Sequence, residues 1–168
     1  MNQKTYTTYT IVNIVIWHCL LMMLLVAEKW HIRPSISDYA YSDNINLYSA
    51  VLFHPAFMFY TDGMLNKKRW YNVIFGASLF VVGITPYLDF PWLHYIGAGL
   101  FFIGSASAFL IWKSKKQIWA NIIFALLIIF PISFYYLGWF GLTLFLAELI
   151  AIAVRITHHL LEVKNKIE

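Results

Sequence analysis

Three ionisable side chains fall inside long apolar stretches of this sequence. They are His18 in IVNIVIWHCLLMMLLVA, His54 in LYSAVLFHPAFMFY and Glu148 in FGLTLFLAELIAIAVRI. An ionisable group in such a stretch is costly if the stretch lies in a bilayer, so it should face protein or a water-filled cavity. Two imidazoles and a carboxyl group that met there could share protons, accept a transported cation, or supply an incomplete ligand set for a divalent metal. The plainer reading is interhelical hydrogen bonding. Pro55 sharpens the case at His54, because it has no N–H to give the carbonyl of Val51, which is left to water, a partner helix or a ligand.

A second constellation lies in polar segments: His31, Ser35, Ser37 and Asp38 in the long connection after the first apolar run, with Asp89 and His94 in a short one further on. These residue types could assemble a nucleophile with its base, or a cation site. Serine and aspartate are also what turns are made of, so ordinary loop chemistry is the competing reading.

The elements that must position these residues are membrane spans. The chain has 168 residues, 61% of them hydrophobic, 19% aromatic and 12% charged, with a mean hydropathy of +0.66. A soluble domain is about a quarter charged, so this composition belongs in a bilayer. The expected fold is all-α, a single transmembrane domain over 1–168 with spans at about 11–27, 47–61, 70–85, 93–112, 118–138 and 140–156. A long outer loop occupies 28–46, in which Trp30, Tyr39 and Tyr41, with Tyr48 beyond it, would form part of an aromatic belt. On these boundaries His18, His54 and Glu148 each sit near mid-depth. His158 and His159 fall in a polar tail and read as interface residues. Gly97, Gly104 and Ala108 lie close to one face of the fourth span, with Gly99 and Ser107 on another, which suits close helix packing.

Basic residues orient the bundle. Lys4, Lys67, Lys68, Arg69, Lys113, Lys115, Lys116, Arg155, Lys164 and Lys166 fall on one side and only Lys29 and Arg33 on the other. That asymmetry puts both termini in the cytoplasm and fits an integral protein of a bacterial inner membrane. Membrane lipids are the expected partners, with anionic headgroups at Lys67, Lys68, Arg69, Lys113, Lys115 and Lys116. A homo-oligomer or a protein partner is a further expectation, and direct nucleic-acid readout is not. The single cysteine, Cys19, excludes an intramolecular disulfide and a multi-cysteine metal site. There is no phosphate-binding GxxxxGK, no GxGxxG after a strand and no GxSxG elbow. No expected span carries a lysine, which rules out a retinal Schiff base.

From Arg33-Pro34-Ser35-Ile36-Ser37-Asp38-Tyr39 to Trp112, with a basic turn after the second span, the chain resembles the six-span DRAM and Frag-type membrane proteins and their bacterial relatives. The resemblance implies a role in lipid handling or membrane homeostasis and supplies no catalytic set. Membrane hydrolases of the ceramidase and adiponectin-receptor type differ by a seventh span and by paired histidines one helical turn apart. The functional expectation is a lipid-handling or proton- or ion-coupled membrane protein, without a cofactor, whose site is His18, His54 and Glu148. The alternatives are an oligomeric pore or membrane effector of a larger system, and a metal-dependent membrane hydrolase built on the same three residues.

Overall fold

A long apolar segment with no water around it must satisfy its amides internally, and a helix does so within one segment. The computed structural model describes residues 3–111 and 117–164. Its regular structure is helical throughout: α1 (Gln3–Ala27), α2 (Ile45–Leu65), α3 (Tyr71–Ile84), α4 (Pro91–Ile111), α5 (Ile118–Tyr136) and α6 (Leu144–Val163). Of these, α1, α4, α5 and α6 are long and apolar enough to cross a membrane. α2 has the length, but His54, Thr61, Asp62 and Gly63 dilute its apolar character. α3 has 14 residues, about 21 Å at 1.5 Å per residue.

Each helix packs on the next, and α6 returns to α1, so the bundle closes on itself. Glycine sets the tightest approaches. A Cβ on Gly76 of α3 would lie 2.5 Å from the Ala56 carbonyl oxygen and the Tyr60 nitrogen of α2, and one on Gly97 of α4 would lie 3.0 Å from the Ser78 carbonyl oxygen of α3. Between α1 and α2 the link is polar. The Trp17 indole N–H donates to the Val51 carbonyl at 3.0 Å, so the acceptor freed by Pro55 is taken by a neighbouring helix. The outward surface is apolar: Val15, Met23, Ile103, Trp119, Ile123 and Phe130 are all exposed, as expected where hydrocarbon rather than water is the surroundings.

The two ends of the bundle are distinguished by their contacts. At one, the 29–44 connection meets the start of α6, with the Phe145 N–H donating to the Pro34 carbonyl at 2.7 Å. At the other, the start of α1, the α2–α3 turn and the end of α6 meet through Tyr6, Asp62, Arg69 and His159. The long connection is not a loose loop. Ser37–Tyr41 winds into a 3-10 turn, and Ile36, Tyr39 and Ala40 are buried. Tyr39 and Tyr48 are therefore core residues, not part of an aromatic belt, while Trp30 and Tyr41 are exposed.

Candidate functional site: a polar cavity under the long connection

Three of the elements placed above enclose a cavity of about 390 Å³. α4 contributes Tyr95, Ala98 and Phe102, α5 contributes Ile132 and Tyr135, and α6 contributes Leu144 and Glu148; Ser35, Ser37 and Asp38 close the polar end. Its volume is that of a small-molecule site, and its apolar walls with a few convergent polar groups are the usual make-up of one.

The polar end is tightly organised. Asp38 Oδ2 accepts from the backbone N–H and the hydroxyl of Ser35, each at 2.8 Å, which is the carboxylate-to-backbone closure of a short turn. Its other oxygen accepts from the Tyr87 hydroxyl at 2.8 Å. That bond pushes the Tyr87 phenol up to about 12, because ionisation would place a second negative charge against the carboxylate. The turn so fixed presents the Ser37 hydroxyl to His94, 3.0 Å from Nε2. On the far side of the ring, Nδ1 lies 2.6 Å from the Thr85 carbonyl oxygen. A carbonyl only accepts, so Nδ1 carries a proton; in the neutral ring Nε2 then holds the lone pair and Ser37 donates to it. Glu148 Oε2 accepts from the backbone N–H of Ile36 at 2.7 Å and so fastens the residue before Ser37.

Of the six polar-segment candidates, Ser35, Ser37, Asp38 and His94 come together here. His31 and Asp89 are exposed and do not line the cavity. Thr85, Tyr87 and Ile36 escaped the sequence reading, because two act through the main chain and the third is a tyrosine among many.

The three expected mid-depth residues do not form a common site. His18 is exposed, and its Nδ1 lies 2.8 Å from the Ile14 carbonyl oxygen of its own helix. His54 Nε2 lies 3.0 Å from the Asn13 carbonyl oxygen. Glu148 belongs to the cavity under the connection. The reason lies in α6, which starts at Leu144 and runs to Val163; the expected 140–156 span is shifted, so Glu148 lies in the second turn, near one end. No group of three or more His, Cys, Asp or Glu among the described residues is placed to hold a metal ion, so the His18, His54 and Glu148 ligand set is not assembled.

The same shift brings the expected polar tail into the core. Arg155, His158, His159 and Glu162 are buried. Arg155 donates to the Asn72 side-chain oxygen and lies over the Phe59 ring at 4.7 Å, and its Nη1 is 3.8 Å from Glu162 Oε2. Asp62 accepts from Tyr6 and Asn72 and pairs with Arg69 at 3.0 Å. Arg69 is thereby turned inward, while Lys67 and Lys68 are exposed; Lys113, Lys115 and Lys116 lie outside the described residues. Spacing could have revealed this cluster, since Ile152, Arg155, Ile156, His159 and Glu162 share one helical face.

Fold and site define an all-helical protein in which several helices are apolar enough to span a membrane, with a polar cavity at one end and a buried ionic cluster at the other. The chain belongs to DUF7103, a family of unknown function whose model matches residues 19–163, a stretch that includes every cavity-lining residue. No curated protein and no solved structure matches the chain.

Proposed function

We propose that this is a six-span protein of a bacterial inner membrane that handles lipid, taking the polar head region of one lipid molecule into the cavity under the long connection. The observation that carries the reading is the cavity itself. Ser37, His94 and Glu148 stand at its polar end, and Ala98, Phe102, Ile132 and Leu144 form apolar walls, a division that matches an amphiphile. Tyr95 and Tyr136 at its margin are exposed on the apolar outer surface, so an acyl chain can reach it from the bilayer. Six crossings are supported by the ends of α2 and α3. Asp62 in the last turn of α2 and Asn72 in the first turn of α3 meet His159 and Arg155 of α6, while the connection that leads into α2 is bonded through Ile36 to Glu148 near the start of α6, which is itself long enough to span. The excess of lysine and arginine at the α2–α3 turn end puts the cavity on the outer side.

Ala98→Trp places an indole in the cavity while leaving its polar end intact. Native mass spectrometry of the detergent-purified protein should show one phospholipid retained by the wild type and at least about a tenfold weaker hold in the variant, since an occupied cavity offers no burial to the ligand. Equal retention by the two proteins, or none by either, overturns the reading.

A further inference from the structure

The Ser37–His94 pair has a geometry that binding alone does not require. A histidine that merely satisfied a hydroxyl could present either nitrogen. Here Thr85 selects the tautomer by accepting from Nδ1 at 2.6 Å. The basic Nε2 is left 3.0 Å from Ser37 Oγ. Nucleophile, base and a group that orients the base are the three parts of an activated serine, and the third can be any fixed acceptor. A main-chain carbonyl at the end of α3 is fixed by the helix it terminates. Both side chains are buried, yet both line the cavity, so a molecule bound there meets the hydroxyl.

We propose that Ser37 is a nucleophile and His94 its general base, acting on a carboxylic ester of a membrane lipid held in the cavity. The assignment rests on the cavity being a lipid site. In the first step Ser37 Oγ bonds to the ester carbonyl carbon as its proton passes to His94 Nε2. The ester C–O bond then breaks, the departing alcohol takes that proton, and the acyl group remains on Ser37. In the second step water gives a proton to His94 and its oxygen attacks the acyl carbon. Ser37 regains the proton from His94, and a fatty acid leaves. While His94 is protonated, its Nδ1–H stays bonded to the Thr85 carbonyl, whose dipole stabilises the added charge. Tyr95, Tyr135 and Tyr136 line the same cavity, and a phenol is an uncharged donor of the kind that stabilises a developing oxyanion.

The test uses the full chain in detergent and an alkyl fluorophosphonate, which phosphonylates only activated serines, with the adduct mapped by peptide mass spectrometry. The expected result is one phosphonate on Ser37, formed about 10²- to 10⁴-fold more slowly in His94→Gln, the usual contribution of a general base. Native mass spectrometry of the same samples reports lipid retention separately and shows whether His94→Gln is folded. A wild type that keeps its lipid but takes no label at Ser37 overturns the inference and leaves the lipid site standing. Equal labelling in a folded His94→Gln also overturns it. Labelling at Ser37 without any retained lipid supports the activated serine, strikes the lipid-site reading and overturns the lipid ester as its substrate.

Discussion

A proline inside a helix orphans the carbonyl four residues earlier, and in α2 that carbonyl is Val51, buried and bonded to the Trp17 indole at 3.0 Å. A buried acceptor left unsatisfied costs about 1–3 kcal/mol. Trp17→Phe is therefore expected to lower stability in detergent by at least that amount, with further loss from packing. In a Pro55→Ala background, where residue 55 regains an N–H for Val51, the same change should cost less. Thermal unfolding of the four proteins of this cycle checks the coupling, and additive effects would refute it. The orphaned carbonyl was legible in the sequence because proline chemistry is local. Its partner was not, since that depends on which face of α1 meets α2. The same limit explains His18, His54 and Glu148. Residue type marked each as needing a partner, but a backbone carbonyl or amide is available at any depth, and each found a different one. Ser35, Ser37 and Asp38 were recognisable as chemistry because they sit in one polar segment, where turn closure keeps them near one another, whereas the meeting of His94 with Ser37 depends on how α4 packs under the connection.

At the level of elements, helical character follows from apolar run length, and the connections fall where proline, glycine and charge interrupt it. The end of α6 was less legible. Arg155, His158, His159 and Glu162 read as a solvated tail if hydropathy alone sets the boundary, whereas their spacing places Arg155, His159 and Glu162 on the face that carries Ile152 and Ile156. Buried charge is tolerated there because it is compensated. Arg155 has Asn72, Glu162 and the Phe59 ring around it, and removing one partner of such a group costs several kcal/mol. Arg155→Ala should accordingly reduce the yield of monodisperse protein far more than Lys67→Ala, a comparison that size-exclusion chromatography makes directly. Arg155 also joins the second half of α6 to the start of α3, where Asn72 lies. The cluster therefore fastens the bundle at the end opposite the cavity, and the cavity end is fastened separately, through Glu148 to Ile36 and Phe145 to Pro34.

For the molecule as a whole, sidedness is the property that ties cavity to function. The positive-inside argument counts only charges that stay at the surface, and Arg155 is inside the bundle. Removing it and Arg69, which is turned inward onto Asp62, leaves eight basic residues against Lys29 and Arg33, so the inferred orientation is unchanged. Whether α2 and α3 cross the bilayer or fold back within it decides where the α2–α3 turn emerges. Their contacts argue for crossing. α2 begins beside the Ser37–Tyr41 turn, and Asp62 in its last turn meets Tyr6 of α1 and His159 of α6. A hairpin re-entering from the cavity side could reach those residues only if the ends of α1 and α6 also stopped within the membrane. Cys19 is the chain's single cysteine and lies within α1, so Cys19→Ser gives a background for placing one reporter at a time. In intact spheroplasts, a membrane-impermeant maleimide should label Lys29→Cys, and should label Lys67→Cys only after lysis. Labelling of both from outside would place the α2–α3 turn on the cavity side and reduce the spans to four, whereas labelling of Lys67→Cys alone would invert the protein and turn the cavity toward the cytoplasm.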